Sequence, residues 1–534
     1  MTSEVPSPPE VDADAGGAGT RFAHHWSVVV GAGRAAEALR ADWQQHLGRA
    51  VGDVGFRYVR FHGLFHDDMF VYRRTADGTR HLTFGYVDRV FDALLAAGIR
   101  PFVEFGFMPA DLARSHGTVF WWRGNGAPPT SLDEWTVLVE ETVRHWVGRY
   151  GLDEVRSWYF EVWNEPNLHP FWQGTRSEYF ALYAATARAV KGIDDSLRVG
   201  GPATSNFVPD SRFDGETEDV EAHVRVTDTT DLSALDWRPV WLAEFFAFCR
   251  DNDLPVDFVS THPYPTDWAL DEHGEGARRT RDRDATERDL RLLRRLVDES
   301  PFPQAEIHLT EWSSSSSSRD LTHDSLPAAT YVVRTNLRTI GLVDSLAYWT
   351  FTDVFEEQGA GIGPFHGGFG MLNEHGIPKP VFHAYRLLSS LGDVLLHRSD
   401  VGVVTRSSLT GAVSALFHNY PDEEAMTVPA CETYAELDRL LARGRARTVR
   451  VRVSGLSPRA VFATQEVDAQ HGDVLGPWRA AGRPENLDLE QARALSAVAE
   501  ELGSAVHQAD ERGVLDVELV MAPWSVVGLQ QVDG

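Results

Sequence analysis

The stretch Ser157-Trp-Tyr-Phe-Glu-Val-Trp-Asn-Glu-Pro-Asn167 decides the fold of this chain. It opens with a run of aromatic and β-branched residues, which is typical of a buried strand, and it ends in a polar Asn-Glu-Pro segment. A second stretch, Glu306-Ile-His-Leu-Thr-Glu-Trp312, has the same build. We therefore expect Glu165 and Glu311 each to lie at the carboxyl end of a buried strand.

Six more segments of this kind bring the number of predicted strands to eight. The predicted strands cover residues 26–30, 57–61, 101–105, 157–163, 197–201, 256–260, 306–312 and 344–351. Amphipathic stretches, predicted as helices, lie between them at residues 36–48, 86–97, 132–149, 177–191, 238–252, 285–298 and 325–341. Strands that alternate with helices form a parallel sheet through right-handed crossovers, and eight such units close into a barrel. The sequence therefore predicts an α/β fold, a (β/α)8 TIM barrel, with its active site at the carboxyl ends of the strands.

Two carboxylates that face one cavity are what glycoside hydrolysis needs. One protonates the leaving oxygen, while the other stabilises or attacks the oxocarbenium-like carbon. Glu165 lies between Trp163 and Pro166, so we expect its surroundings to be partly apolar and its pKa to be raised, as suits an acid. Asn164 is placed to bind a sugar 2-hydroxyl. The separation of the two carboxylates, which distinguishes retaining from inverting enzymes, cannot be read from the sequence.

Further candidate substrate-binding residues follow the second and sixth strands. Arg60 is predicted to pair with Glu311 and keep it ionised, and His62 to bind a sugar hydroxyl. His262 and Tyr264 are predicted to orient the nucleophile or to contact the substrate.

The segment after the eighth strand supplies the last candidates. Trp349 is predicted to form the floor on which the sugar stacks. One of the neighbouring carboxylates, Glu356 or Glu357, is predicted to bind two adjacent hydroxyls, and the sequence leaves the choice between them open.

These segments together resemble glycoside hydrolase family 39, the family of β-xylosidases and α-L-iduronidase. The resemblance covers about residues 24–385 and is closer to the β-xylosidase branch than to the iduronidases, whose sugar carboxylate requires additional basic contacts. It rests on Arg60-Phe-His-Gly63, His66-Asp-Asp68, Phe107-Met-Pro109, Trp163-Asn-Glu-Pro-Asn167, Asp257-Phe-Val-Ser-Thr-His262, Thr310-Glu311, Trp349-Thr-Phe351, Phe365-His-Gly-Gly-Phe-Gly370 and Pro378-Lys-Pro380. It implies a retaining double displacement with Glu165 as acid/base and Glu311 as nucleophile, no metal or other cofactor, and a C-terminal β-sandwich.

The sequence pattern changes at about residue 392. Short alternating runs punctuated by Gly, Pro and Asp predict an antiparallel β-sandwich from there on. We predict a flexible N-terminal tail over residues 1–20, a catalytic barrel over 21–391 and a β-sandwich accessory domain over 392–534. Two segments depart from the resemblance, an acidic insertion at 210–235 and six serines at 313–318, and both are predicted as loops near the barrel mouth.

The composition argues against two classes of partner. A net charge of −28 disfavours nucleic acids and anionic membranes, which require basic surface. No run of 18 apolar residues is present, and the N-terminal residues have neither a basic n-region nor an apolar core. We therefore expect a cytoplasmic protein that binds a carbohydrate or small glycoside. Association into a homo-oligomer is left open.

The leading hypothesis is an exo-glycosidase that removes terminal β-xylosyl or similar residues from short oligosaccharides or small glycosides. A second hypothesis keeps the same two catalytic carboxylates, but the substrates are α-L-arabinosides, β-galactosides or a glycosylated natural product. A non-catalytic sugar-binding barrel belongs to a different class, and loss of either carboxylate would favour it. The least supported hypothesis is a metal-dependent hydrolase built on His62, His66, Asp67 and Asp68, for which no further ligands follow at a matching spacing.

Overall fold

The structure is a computed structural model that describes residues 10–169, 171–205, 207–208, 237–270 and 276–532. The predicted insertion at 210–235 lies outside the described residues. No described helix is both long enough and apolar enough to cross a membrane.

Eight parallel strands form a closed barrel, which confirms the predicted fold. They are β1 Val29–Arg34, β2 Tyr58–His62, β3 Arg100–Phe105, β4 Tyr159–Val162, β5 Arg198–Ser205, β6 Phe258–His262, β7 Glu306–Trp312 and β8 Ser345–Tyr348. Each strand pairs with the next along the chain, and β8 pairs with β1 to close the ring. Every predicted strand is present, with ends shifted by up to four residues. The carboxyl ends of all eight strands therefore surround one mouth.

Helices follow the strands and cover the barrel. They are α1 Ala41–Val54, α2 Gly85–Ala96, α3 Leu132–Tyr150, α4 Leu152–Val155, α5 Arg176–Lys191, α6 Leu242–Asp251, α7 Ala285–Asp298, α8 Leu326–Arg338 and α9 Pro380–Ser389. Short 3-10 turns cover His25–Ser27, Glu37–Leu39, Asp67–Met69 and Leu321–Asp324. The predicted helix at 36–48 instead begins at Ala41, because Arg40 is extended and the Glu37 carboxylate accepts a hydrogen bond from the backbone N–H of Arg34.

Local sequence signals explain where the helices begin and end. Ser131 caps α3 by accepting from the backbone N–H of Glu134, and Gly151 ends that helix with a positive φ that glycine adopts without strain. Trp146 of α3 stacks on Phe91 of α2, with ring centroids 4.9 Å apart. The apolar faces of the helices therefore meet the outside of the barrel in one continuous core.

The C-terminal part of the structure, from Val394 onward, is a two-layered β-sandwich. Its strands are β9 Val394–Arg398, β10 Gly402–Arg406, β11 Val413–His418, β12 Arg447–Ser454, β13 Val461–Val467, β14 Gly503–Gln508, β15 Leu515–Met521 and β16 Val526–Gln531. Between them lie the turn Asp422–Glu424 and the helices α10 Tyr434–Leu441, α11 Leu475–Ala480 and α12 Leu489–Ala499. One layer contains β12 and β15, the other contains β9, β10, β11, β16, β13 and β14, and their apolar faces enclose a separate core.

The prediction of a flexible tail over residues 1–20 is wrong from Glu10 onward. Glu10–Asp14 forms a strand that pairs in parallel with β12, and Thr20–Arg21 pairs with β9. Because side chains alternate along a strand, Val11 and Ala13 both enter the sandwich core, where Val11 is fully buried. Both ends of the chain thus contribute to the accessory domain, while residues 1–9 lie outside the described part. The boundary at residue 392 stays a prediction.

Four two-stranded antiparallel sheets complete the described strands. They are Tyr72–Arg74 with Arg80–Leu82, Thr118–Val119 with Gly124–Asn125, Phe207–Val208 with Arg238–Pro239, and Thr266–Leu270 with Gly276–Thr280. Each begins after the carboxyl end of a barrel strand, so these small sheets belong to the segments at the barrel mouth.

Candidate active site

Arg60 on β2 is the centre of a buried polar network. Its side chain is fully buried, and its Nε donates to Glu161 Oε2 at 2.7 Å. Nη1 donates to Glu311 Oε1 at 2.6 Å, while Nη2 donates to Asn164 Oδ1 at 2.8 Å and lies 3.0 Å from Glu104 Oε2. Burial by itself would lower the pKa of Arg60, but the three carboxylates raise it. One guanidinium therefore ties together side chains from β3, β4 and β7, and the predicted contact with Glu311 is among them.

Glu311 lies at the end of β7 and receives three donors. Besides Arg60, Tyr264 donates its hydroxyl proton to Oε2 at 3.2 Å, and His62 Nε2 lies 3.3 Å from Oε1. Burial would lower the pKa of His62, but the Glu104 carboxylate, 2.6 Å from its Nδ1, raises it above its ordinary value. His62 is thus favoured as an imidazolium that donates to both carboxylates. This environment stabilises Glu311 as an oriented anion, which is the form that a nucleophile requires.

Glu165 lies just beyond β4 in an unusual backbone conformation. Its φ is +45° and that of Trp163 is +72°, a region that side chains other than glycine rarely occupy and that is often found at functional sites. The backbone N–H of Glu165 donates to Ala203 O on β5 at 2.8 Å, which holds the turn. Burial raises the pKa of Glu165 to about 7, although a hydrogen bond from Ser205 opposes the shift. The carboxyl group is therefore protonated at mildly acidic pH, as a general acid must be.

The two glutamates face each other at close range. A carboxylate oxygen of Glu165 and one of Glu311 lie within 4.8 Å of each other, together with a ring nitrogen of His262. Retaining glycosidases hold their carboxyl groups about 5 to 5.5 Å apart, whereas inverting enzymes leave roughly 6.5 to 9.5 Å for a water molecule. An approach within 4.8 Å lies below the inverting range and favours the retaining geometry.

A cavity of about 740 Å³ opens above this pair at the barrel mouth. Side chains from both the polar network and the surrounding loops line it, including His62, Phe120, Asn164, Glu165, Phe171, Tyr264, Glu311, Ser316, Ser317, Arg319, Trp349, Glu357, Gln358 and Glu432. The Trp349 ring packs against His62, with centroids 4.8 Å apart. An aromatic ring beside a set of hydrogen-bonding groups suits the two faces of a sugar.

The structure separates the two candidate carboxylates after β8. Glu357 lines the cavity, and burial raises its pKa to about 8, so that near neutral pH it can both donate to and accept from a hydroxyl. Glu356 points elsewhere, because Arg34 at 3.0 Å and Arg40 both pair with it. The predicted role of Glu356 as a substrate contact is therefore not supported by its position.

The residues proposed for a metal-dependent hydrolase do not converge. His62 faces Glu104 and Glu311, whereas His66 Nδ1 pairs with Asp68 Oδ1 at 2.7 Å. Asp67 accepts from the backbone N–H of Ala110 at 3.0 Å. Within the described part of the chain these side chains form no common ligand group. The expectation that no metal takes part stays a prediction.

Sequence reasoning missed three buried members of the network, Glu104, Glu161 and Thr310. Thr310 donates its hydroxyl proton to Glu161 Oε1 at 2.7 Å, and all three side chains are at most 1% exposed. A signal was present, since charged residues inside otherwise apolar strands need a partner when both faces of the sheet are covered. Arg60 is that partner for both glutamates.

The chain is similar to known proteins along nearly its whole length. It is 36% identical over 512 residues to a β-xylosidase from Geobacillus stearothermophilus, covering 94% of this chain and 91% of that protein. A β-xylosidase from Caldicellulosiruptor saccharolyticus is 42% identical over 368 residues, 68% of each chain. The crystal structure of the GH39 enzyme from Xanthomonas axonopodis pv. citri has a TM-score of 0.83 at 33% identity, covering 98% of this chain and 97% of that chain. A model of the family Glycosyl hydrolases family 39 matches residues 10–515, and the chain therefore belongs to this family of glycoside hydrolases.

Proposed function

We propose that the protein is a retaining exo-glycosidase that removes terminal β-xylosyl residues from short oligosaccharides or small glycosides. The observation that carries this proposal is the pair Glu165 and Glu311, whose nearest oxygens lie within 4.8 Å and whose environments differ. Glu165 is buried and held as an acid, whereas Glu311 is surrounded by donors. A buried carboxyl group with a raised pKa beside a carboxyl group that accepts from several donors is suited to the roles of acid/base and nucleophile.

In the first step Glu311 attacks the anomeric carbon while Glu165 gives its proton to the departing oxygen. The glycosidic bond breaks, and a glycosyl ester forms on Glu311. In the second step Glu165, now a carboxylate, takes a proton from water as the water attacks the same carbon, and the sugar leaves with its original configuration. Asn164 is the proposed partner of the sugar 2-hydroxyl, since its Oδ1 is held by Arg60 and its side chain lines the cavity. Glu357 and Trp349 are proposed to bind the hydroxyls and the ring face.

The choice of β-xyloside rests on the two relatives that are named β-xylosidases. Hydrolysis of arabinosides, galactosides or glycosylated natural products would use the same two carboxylates. An assay must therefore distinguish these substrates from β-xylosides. A non-catalytic sugar-binding barrel would not need an acid and an oriented anion at the retaining distance.

A panel of nitrophenyl glycosides tests the proposal. The β-xyloside should be hydrolysed in preference to the α-arabinofuranoside, α-arabinopyranoside, β-galactoside and β-glucoside, and ¹H NMR should detect β-xylose before mutarotation. A 2-deoxy-2-fluoro-xyloside should label the peptide that contains Glu311. Release of α-xylose would contradict the mechanism, and turnover of none of the panel would contradict the substrate class.

A homo-oligomer and a cytoplasmic location stay predictions from the sequence. Light scattering during gel filtration measures the first, and fractionation of the native cells measures the second.

A further inference from the structure

A chain of hydrogen bonds runs beneath the acid/base residue. Arg60 donates to Glu161 at 2.7 Å, and Thr310 Oγ1 donates to Glu161 Oε1 at 2.7 Å. Thr310 Oγ1 also lies 2.9 Å from His262 Nε2, and His262 Nδ1 lies 2.9 Å from Glu165 Oε1. Four of these side chains are completely buried and Glu165 is 6% exposed, so each contact must be satisfied within the chain.

The position of one proton in this chain follows from simple counting. A threonine hydroxyl has a single proton, and that of Thr310 goes to Glu161, which is an acceptor because it pairs with Arg60. Thr310 Oγ1 can therefore only accept from His262. The Nε2 atom of His262 must carry a hydrogen.

The other ring nitrogen of His262 then faces Glu165. Burial lowers the pKa of His262 to about 4, with Glu311 opposing and Arg60 assisting the shift, so the imidazole is neutral in the working range. A neutral imidazole with its proton on Nε2 has a lone pair on Nδ1. The 2.9 Å contact with Glu165 Oε1 consequently requires that Glu165 supply the proton.

We propose that Thr310, supported by Glu161, is a positioning residue that fixes the tautomer of His262 and so keeps Glu165 protonated in the free enzyme. This inference rests on the proposed function and deepens it. When Glu165 has passed its proton to the leaving oxygen, its carboxylate faces the lone pair of Nδ1. That repulsion makes Glu165 a stronger base toward the attacking water, whose proton restores the starting state. One proton leaves Glu165 and one returns in each cycle, so no further reactant is needed.

The surroundings of His262 are charged on several sides. Arg60 and His62 face it from β2, Glu161 and Glu165 from β4 and its continuation, and Glu311 from β7, with Glu311 Oε2 at 4.0 Å from Nδ1. A test must therefore change the tautomer and leave these charges in place. Replacement of Thr310 meets this condition, because its side chain carries no charge.

The matched pair Thr310→Val and Thr310→Ser provides the kinetic test. Valine has the shape of threonine but cannot accept from Nε2, so the Nδ1–H tautomer becomes available and donates to the Glu165 carboxylate. A hydrogen bond to the charged form favours that form, and the alkaline limb of kcat/KM should move down by about one pH unit. Serine keeps the hydroxyl and should keep the limb in place. A valine variant that loses activity equally at all pH values, with the limb unmoved, would overturn the proposal.

The tautomer can also be read directly. In protein labelled with ¹⁵N-histidine, two-bond ¹H–¹⁵N correlations report which ring nitrogen carries hydrogen, and comparison with His262→Gln assigns the signals. The wild type should show a protonated Nε2 and an unprotonated Nδ1. Hydrogen on Nδ1, alone or on both nitrogens, would overturn the proposal.

A second variant covers the case in which Thr310→Val does not fold. In Glu161→Gln the amide can donate to Thr310 Oγ1, which releases the hydroxyl proton toward Nε2 and should produce the Nδ1–H tautomer. Because this variant also removes a charge that faces His262, its NMR tautomer is the test and its pH profile is not. The NMR reading needs no turnover, so it remains valid if the proposed substrate is wrong. If Thr310→Val still hydrolyses xylosides and its alkaline limb is unmoved, only the role of Thr310 is contradicted. If the wild type hydrolyses no xyloside, the proposed function is contradicted.

Discussion

Removal of the Glu165 carboxyl group is the sharpest test of the active site. Burial raises its pKa to about 7 from an ordinary value of 4.5. At pH 6 about nine-tenths of the enzyme then holds the acid form, compared with about 3% for an unshifted glutamate, a gain of about 30-fold in competent enzyme. Because the acid form is needed, kcat/KM of the wild type should fall as pH rises through about 7.

Glu165→Ala should lose this alkaline limb and discriminate strongly between leaving groups. General acid assistance is worth about 10²- to 10⁴-fold, or about 3 to 5 kcal/mol, and poor leaving groups depend on it most. Activated aryl xylosides need little help in the first step, so a glycosyl ester should accumulate on Glu311. Azide should then speed turnover and give a β-xylosyl azide.

The assay measures kcat/KM from pH 5 to 9 for a series of aryl β-xylosides whose phenols differ in acidity. Glu374→Gln is the matched control, because burial also raises the pKa of Glu374 to about 7 and its side chain does not line the cavity. The control should keep the alkaline limb. Equal losses on good and poor leaving groups, with the limb intact in Glu165→Ala, would refute the assignment of the acid.

Three further outcomes follow from the same geometry. Glu311→Ala should abolish hydrolysis, and azide with an activated β-xyloside should give the α-azide; normal turnover would assign the nucleophile elsewhere. Burial raises the pKa of Glu357 to about 8, above its unfolded value. The stability that its protonated form contributes is therefore complete below about pH 4.5 and is lost as pH rises through about 8. Thermal unfolding should therefore favour Glu357→Gln over wild type above pH 8, and a constant difference from pH 5 to 9 would contradict this. Trp121 is 64% exposed, and its backbone N–H donates to Glu357 O beside the cavity. Trp121→Ala should therefore remove a stacking surface for the leaving sugar and raise KM for xylobiose by up to about 10-fold, with kcat retained. An unchanged KM would place that sugar elsewhere.

Much of this protein could be predicted from its sequence. Buried parallel strands read as short apolar runs, so all eight barrel strands were found, and Glu165 and Glu311 stood out because each follows such a run. A position at a strand's carboxyl end is a local property, and the barrel fold converts it into a shared mouth. The predicted residues Arg60, His62 and Tyr264 meet Glu311 for the same reason.

Other features depended on contacts between distant segments. Glu356 and Glu357 are neighbours with equal local signals, and only the positions of Arg34 and Arg40 show which one faces the cavity. The strand Glu10–Asp14 reads as a polar tail until β12, more than 430 residues later, offers it an edge to pair with.

The raised pKa of Glu165 depends both on its neighbours in the sequence and on contacts with distant segments. Its apolar neighbours suggested a raised pKa, but the shift depends on complete burial and on groups that other strands contribute. The proton on His262 depends on Thr310 and Glu161, which are 149 residues apart in the chain. Sequence patterns identify residues that belong at an active site because strand ends converge, whereas the protonation of those residues is decided by hydrogen-bond partners that only the closed barrel brings within 3 Å.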